Sequence, residues 1–101
     1  MSIDVRADHL TMIQGILKQF VPGCRVVTFG SRVTNTASDA SDLDLCIIDN
    51  KSVSFETLAH LRDAFSESNL PYKVDVIDWS TIAPDFKEIV LQNCFDIQTA
   101  A

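Results

Sequence analysis

The stretch FGSRVTNTASDASDLDLCII, residues 29–48, places a Gly-Ser pair and a group of aspartates between two apolar segments. The segment that leads into it, residues 24–29, is short and rich in β-branched residues, which is typical of a buried strand that runs directly into Gly30. A second apolar segment of the same kind begins at Leu43. The stretch therefore predicts two strands, separated by a turn and by a loop that carries acidic side chains.

The acidic side chains at the start of the second strand predict a cation site. Side chains alternate along a strand, so Asp42 and Asp44 are expected on one face, a few Å apart. Like charges at that range near an apolar core resist joint ionisation, and a divalent ion such as Mg²⁺ is the simplest remedy, although a solvated strand end is the alternative. Asp75, between two valines of a third apolar segment, would complete a triad if the two strands are neighbours. Lys73 shares its face, whereas Asp78 falls on the other and is interpreted as a surface or loop residue.

The Gly-Ser pair predicts a second element of the same site. Gly30 allows a sharp turn and close approach of a ligand to the backbone. Ser31 is expected to cap a short helix, whose first N–H groups would suit phosphate oxygens; the two roles are compatible. For Arg32 the sequence leaves two interpretations open, a phosphate contact or an ordinary surface charge.

The rest of the chain alternates helical and extended patterns. Residues 8–20 predict an amphipathic helix with Asp8 as its N-cap, and Ser54 is expected to cap a second helix. Residues 72–79 predict a third strand, residues 85–94 predict a last helix, and residues 96–101 give little signal. The apolar stripe of the last helix is interpreted chiefly as core, with a contact surface for a partner as the alternative. The pattern favours a single α/β or α+β domain over residues 1–101, with helices packed on a sheet of three or four strands.

Charge and cysteine usage limit the classes of partner and compartment. The net charge of −6 argues against direct nucleic-acid binding and favours a cation or a basic partner. The cysteines Cys24, Cys46 and Cys94 are odd in number and widely spaced, so we expect reduced core thiols. No segment approaches the roughly 20 apolar residues that cross a bilayer. These features predict a cytoplasmic protein with no membrane attachment.

The spacing G-S, ten residues, D-x-D resembles the signature of the DNA polymerase β nucleotidyltransferase superfamily. The matching residues are Gly30, Ser31, Asp42 and Asp44, with Asp75 at the third acidic position. The form FGSR…SDLDL…VDVIDW resembles in particular the minimal nucleotidyltransferase (MNT) group, the antitoxin partners of HEPN proteins, over about residues 24–94. The resemblance implies a polymerase-β-like fold, with a small mixed sheet and helices packed on it.

The resemblance also implies roles for individual residues. Asp42, Asp44 and Asp75 would be catalytic and would bind two Mg²⁺ ions, and Asp75 would activate the incoming hydroxyl group. Gly30, Ser31 and Arg32 would hold the phosphates of ATP. The family commonly has Arg-Gly where this chain has Thr34 and Asn35, so one family arginine is replaced here.

Three functions follow as hypotheses. The first is an Mg²⁺-dependent adenylyltransferase that moves AMP from ATP to a hydroxyl side chain of a HEPN toxin, in a hetero-oligomer with that toxin. The second is a catalytically weak, nucleotide-binding antitoxin that neutralises its partner by covering it, which the change at Thr34 and Asn35 keeps open. The third is a small-molecule nucleotidyltransferase completed by another subunit.

Overall fold

The structure is a computed structural model, and it describes residues 3, 5–34, 41–49 and 53–99. Helices and strands alternate through most of this part of the chain. In order they are α1 (Ala7–Phe20), β1 (Arg25–Phe29), α2 (Ser31–Thr34), β2 (Leu43–Ile48), α3 (Phe55–Glu67), β3 (Val74–Asp78), a 3-10 turn (Trp79–Thr81), α4 (Pro84–Gln92) and β4 (Cys94–Gln98). Asn35 lies outside the described residues.

The described strands form one mixed sheet in the order β3-β2-β1-β4. The strand β1 pairs antiparallel with both β2 and β4, whereas β2 and β3 run parallel. The prediction of a small mixed sheet of three or four strands is therefore confirmed. The strand β4 was missed, because CFDIQ buries one side chain, Ile97, and shows little alternation; β4 is defined by its pairing with β1.

Apolar clusters of unequal size cover the two faces of the sheet. The larger one joins the sheet to α1 and α3, and its fully buried members include Ile13, Leu17, Val26, Leu43, Leu45, Ile47 and Leu61. The smaller one is formed by Val27, Cys46 and Val90, with Phe29, Ile77 and Trp79 packed against it. Because side chains alternate along each strand, Asp44 and Asp75 belong to the second face, where α4 covers only part of the surface.

Helix beginnings show one correct and one wrong prediction. Ser54 is the N-cap of α3, and its Oγ accepts a hydrogen bond from the backbone N–H of Thr57 at 3.1 Å. Asp8 is not the N-cap of α1. The N-cap is Arg6, and the helix begins at Ala7, one residue before Asp8. The Asp8 carboxylate lies in the first turn and accepts a hydrogen bond from Arg6 Nε at 3.1 Å. A negative charge there is favourable beside the positive end of the helix dipole.

The core interpretation of the last helix is right for only part of its stripe. Val90 is fully buried, but Phe86 is 38% exposed and Ile89 56% exposed. The smaller cluster includes Val90 of α4, and Phe86, one turn earlier, packs edge to face on Phe29, while Ile89 remains at the surface. Among the described residues, no helix has both the length and the apolar character that a bilayer crossing requires.

The interpretation of Asp78 as a surface or loop residue is wrong. Asp78 is only 3% exposed. Its carboxylate accepts hydrogen bonds from the backbone N–H groups of Val53 and Ser80, both at 3.0 Å. A buried carboxylate is stable only when its oxygens are hydrogen-bonded, and these two donors supply that requirement. These hydrogen bonds therefore connect the end of β3 to the segment before α3 and to the 3-10 turn.

Candidate active site

The parallel pairing of β2 and β3 brings two of the predicted carboxylates together. Asp44 is the register partner of Asp75, and the backbone N–H of Leu43 donates to the Lys73 carbonyl at 2.9 Å. Residues at paired positions of neighbouring strands project from the same face of a sheet. Asp75 was expected to complete the triad only if the two strands are neighbours. The pairing of β2 with β3 confirms that they are.

The electrostatics of this pair centre on Asp44, which is half-buried. Burial raises the pKa of the Asp44 carboxyl group, and the negative charges of Asp75 and Asp42 raise it further. Asp42 itself lies just before β2 and is exposed. Asp75 has a cationic neighbour, because Lys73 Nζ is 3.4 Å from its Oδ1, although both side chains are partly exposed. The site therefore concentrates negative charge around one partly desolvated carboxylate.

The turn at Gly30 closes directly on Asp44. Gly30 has φ +86°, and a Cβ atom at this position would lie 2.5 Å from Asp44 Oδ2, closer than side-chain atoms normally approach. Glycine is therefore required here both by the backbone conformation and by the space that the carboxylate occupies. The turn continues into α2, where the Val33 N–H donates to the Gly30 carbonyl at 3.0 Å.

Ser31 is the first residue of α2, so the N-cap position that the sequence predicted for it falls instead on Gly30; the Ser31 side chain lies outside what the structure describes. Its phosphate role therefore stays a prediction.

The structure excludes one of the two interpretations of Arg32. Its side chain is 5% exposed, so it is not an ordinary surface charge. Nε and Nη2 both donate to the Ser41 carbonyl, at 3.2 and 2.8 Å, and the guanidinium carbon lies 4.0 Å from the centroid of the Tyr72 ring. Its predicted contact with a phosphate is not tested by these contacts and stays a prediction.

Asp44 and Asp75 open onto a cleft of about 900 Å³ that continues around the β3 edge of the sheet to α3. Sequence reasoning missed several of its lining residues, among them Arg62, which donates from Nη2 to the Val76 carbonyl at 2.8 Å. No local pattern indicates Arg62, because an arginine on a polar helix face looks the same whether it meets water or a cleft. The lining is Phe29, Asp44, Arg62, Asp63, Phe65, Ser66, Tyr72, Lys73, Val74, Asp75, Val76, Ile77 and Phe86.

The donor set matches the chemistry of magnesium. Carboxylate oxygens are the protein ligands that this ion prefers, and a cation would offset the burial and the mutual repulsion that together raise the pKa of Asp44. Within residues 3, 5–34, 41–49 and 53–99, no three side chains of the His, Cys, Asp or Glu type are arranged closely enough to enclose a metal ion. The structure thus brings Asp44 and Asp75 together, while the full three-carboxylate site stays a prediction.

Known proteins resemble this chain in sequence and in fold. The model of the family described as Polymerase beta, Nucleotidyltransferase matches residues 12–95, and the chain belongs to this family. More particularly, the chain is 44% identical over 88 residues to the probable protein adenylyltransferase MntA of Haemophilus influenzae, covering 87% of this chain and 77% of that protein.

Solved structures give the same fold at low sequence identity. One is a toxin–antitoxin with AMP-PNP, with a TM-score of 0.76 and 19% identity over 89% of this chain and 73% of the other. Another is the tri-AMPylated Shewanella oneidensis HEPN toxin in complex with MNT antitoxin, with a TM-score of 0.64 and 14% identity over 89% and 72%. At these identities the likeness shows the polymerase-β-like fold alone, and that prediction is confirmed.

Proposed function

We propose that the protein is an Mg²⁺-dependent adenylyltransferase antitoxin, which transfers AMP from ATP to a hydroxyl side chain of a HEPN toxin. The observation that carries the proposal is the register of Asp44 with Asp75, directly beside the turn at Gly30. This arrangement sets a pair of oxygen ligands next to a backbone bend that suits phosphate.

The reaction would be a phosphoryl-type transfer to an oxygen nucleophile. The hydroxyl oxygen of the acceptor would bond to the α-phosphorus of ATP, the bond to the pyrophosphate oxygen would break, and the hydroxyl proton would pass to Asp75. Asp42, Asp44 and Asp75 would hold Mg²⁺, which when bound supplies neutralisation of the triphosphate charge. Gly30, Ser31 and Arg32 are the predicted phosphate contacts. Such a transfer depends mainly on positioning and charge neutralisation, so a small site with few functional groups is sufficient.

The choice of a HEPN toxin as acceptor rests on the relatives. The MntA protein, at 44% identity, is named as a probable protein adenylyltransferase, and a structural relative was solved with a tri-AMPylated HEPN toxin. The surface of α4 supports a protein partner, because Phe86, Ile89 and Leu91 are 38%, 56% and 50% exposed. Phe86 and Ile89, three residues apart, lie on the same side of α4, and neighbouring exposed apolar side chains are typical of a surface that another protein covers. We therefore propose that α4 contributes to the contact with the toxin.

The second candidate is a binding antitoxin with weak or no transfer. Its support is the replacement of the family Arg-Gly pair by Thr34 and Asn35. In that case the same complex would form, and inhibition of the toxin would not require ATP.

Mass spectrometry of the co-purified HEPN partner, before and after incubation with MgATP, tests the proposal. The partner is expected to gain the mass of one or more AMP groups, and Asp44→Asn and Asp42→Asn should abolish the gain. Asp63→Asn is a matched control, because Asp63 lines the same cleft from α3 without belonging to the predicted triad. Toxin inhibition that persists in both triad variants without ATP would favour the binding antitoxin, and absence of an AMP gain with the native protein would refute the enzyme.

Two coarser expectations accompany this proposal. We propose that residues 1–101 form one minimal nucleotidyltransferase domain, which the family match over residues 12–95 supports. We also propose that the protein acts in the cytoplasm, because its three cysteines are free thiols.

A further inference from the structure

Arg32 connects two segments that carry the proposed active-site residues. It belongs to α2, two residues after Gly30, and its Nε and Nη2 atoms both donate to the carbonyl oxygen of Ser41. The guanidinium group is planar and its N–H groups form a rigid fork, so two bonds to one oxygen fix the direction of that carbonyl. With an exposure of 5%, the Arg32 side chain is directed into the protein.

Tyr72 lies against the same guanidinium group and extends the connection to the third segment. Its ring centroid is 4.0 Å from the Arg32 guanidinium carbon, a cation–π contact, and Tyr72 lies three residues before Asp75. The ring is also held from α1, where its hydroxyl group is 3.2 Å from His9 Nδ1 and the two rings meet edge to face. The Arg32–Tyr72 stack thus lies between α1, α2, the loop before β2 and the segment before β3.

The Ser41 carbonyl is important because of the residue that follows it. It belongs to the peptide plane that links Ser41 to Asp42, so holding the carbonyl oxygen also fixes the backbone N–H of Asp42. Asp42 is exposed and precedes β2, whose pairing with the β3 segment begins with the bond from the Leu43 N–H to the Lys73 carbonyl. Pairing within the sheet therefore begins after Asp42, and the Arg32 bonds fix the chain before it.

We infer that Arg32 and Tyr72 are positioning residues for the proposed carboxylate site, an inference that rests on the proposed function. The Arg32–Tyr72 stack holds the Ser41–Asp42 peptide, and thereby sets where the Asp42 carboxylate stands relative to Asp44. This role differs from the phosphate contact that the family resemblance implies for Arg32. A phosphate contact would be a separate interaction of the guanidinium group, which the two bonds to the Ser41 carbonyl neither require nor exclude.

Measurements of metal affinity and of nucleotide affinity distinguish the positioning role of Arg32 from a phosphate contact. The probe is Mn²⁺ alone, measured by electron paramagnetic resonance on the native protein and on Arg32→Lys, Tyr72→Leu and the double variant. Each single variant is expected to weaken Mn²⁺ binding about 10-fold, as is usual when a group that orients a metal ligand is removed. The double variant should be no weaker than the singles, because the two residues act as one unit. In Tyr72→Leu the KM for ATP at saturating Mg²⁺ should change less than about twofold, because Tyr72 is not among the predicted phosphate contacts.

Tyr72→Phe is the matched control, because it keeps the ring over Arg32 and removes only the hydroxyl group that meets His9. We expect it to bind Mn²⁺ as the native protein does. Circular dichroism at the working temperature checks that each variant is folded. If Tyr72→Leu is unfolded, the Mn²⁺ affinity of Arg32→Lys alone tests the inference. A higher KM for ATP in Arg32→Lys with unchanged Mn²⁺ affinity would overturn the inference in favour of a phosphate ligand.

Mn²⁺ binding and AMP transfer by the native protein show whether the inference alone has failed or the proposed function has failed as well. Mn²⁺ binding that Asp44→Asn abolishes, together with unchanged affinity in Arg32→Lys, overturns the positioning role and leaves the adenylyltransferase intact. Absence of both Mn²⁺ binding and AMP transfer in the native complex would overturn the proposed function, and the inference with it.

Discussion

Replacing Gly30 by alanine is expected to destabilise the protein by a backbone effect and by a collision inside the site. Gly30 has φ +86°, a conformation that costs a residue with a Cβ atom about 1–2 kcal/mol. The new Cβ would lie 2.5 Å from Asp44 Oδ2, so the carboxylate must leave its rotamer, at about 0.5–1.5 kcal/mol. The sum is about 1.5–3.5 kcal/mol, which for a domain of this size corresponds to a fall of about 7–17 °C in Tm.

Gly23 provides the matched control for this prediction. Its φ is +81°, but no atom lies within 4 Å of a Cβ built there, so Gly23→Ala should show the backbone cost alone. In an Asp44→Ala background the collision is removed, and Gly30→Ala should then cost about as much as Gly23→Ala. Urea unfolding of the variants, followed by circular dichroism, measures both differences. Equal costs for Gly30→Ala and Gly23→Ala in the native background would refute the close approach of Gly30 to Asp44.

Three further predictions concern buried or half-buried polar groups. Because burial and the charges of Asp75 and Asp42 raise the pKa of Asp44 above its ordinary 3.8, the ionised group destabilises the fold at neutral pH. In metal-free buffer Asp44→Asn should therefore raise Tm at pH 7. This gain in Tm should shrink as pH falls through the raised pKa towards 3.8, and a gain independent of pH would contradict the prediction. Asp78→Ala removes the acceptor of two backbone N–H groups and should cost about 2–4 kcal/mol in urea unfolding, while Asp78→Asn, which keeps one acceptor oxygen, should cost less. Burial, followed by the charge of Asp78, raises the pKa of Cys46 to about 11, so iodoacetamide should label Cys46 at pH 8 only after unfolding, and rapid labelling of the native protein would show that the thiol is accessible.

Local sequence patterns predicted most of the helices and strands because those elements have strong periodic signals. The stripe of α1, the serine cap of α3 and the apolar segments of β2 and β3 each follow from a few neighbouring residues. The strand β4 gave no such signal, since its place is decided by pairing with β1, about 70 residues earlier in the chain. Asp78 was missed for a similar reason, because its donors at Val53 and Ser80 come together only when α3 and the 3-10 turn pack beside β3.

The sequence by itself determined the types of the site residues: a glycine where the chain bends after β1, and aspartates at alternate positions entering β2 and within β3. Alternation along a strand is a local property, so the different faces of Asp75 and Asp78 could be predicted from spacing, whereas the shared face of Asp42 and Asp44 stays a prediction. Only the tertiary structure decided that β2 and β3 are parallel neighbours with Asp44 opposite Asp75, and that Arg32 turns inward to Ser41 and Tyr72. Those contacts join residues from separate elements, and their geometry is set by packing across the whole domain, which no short stretch of sequence encodes.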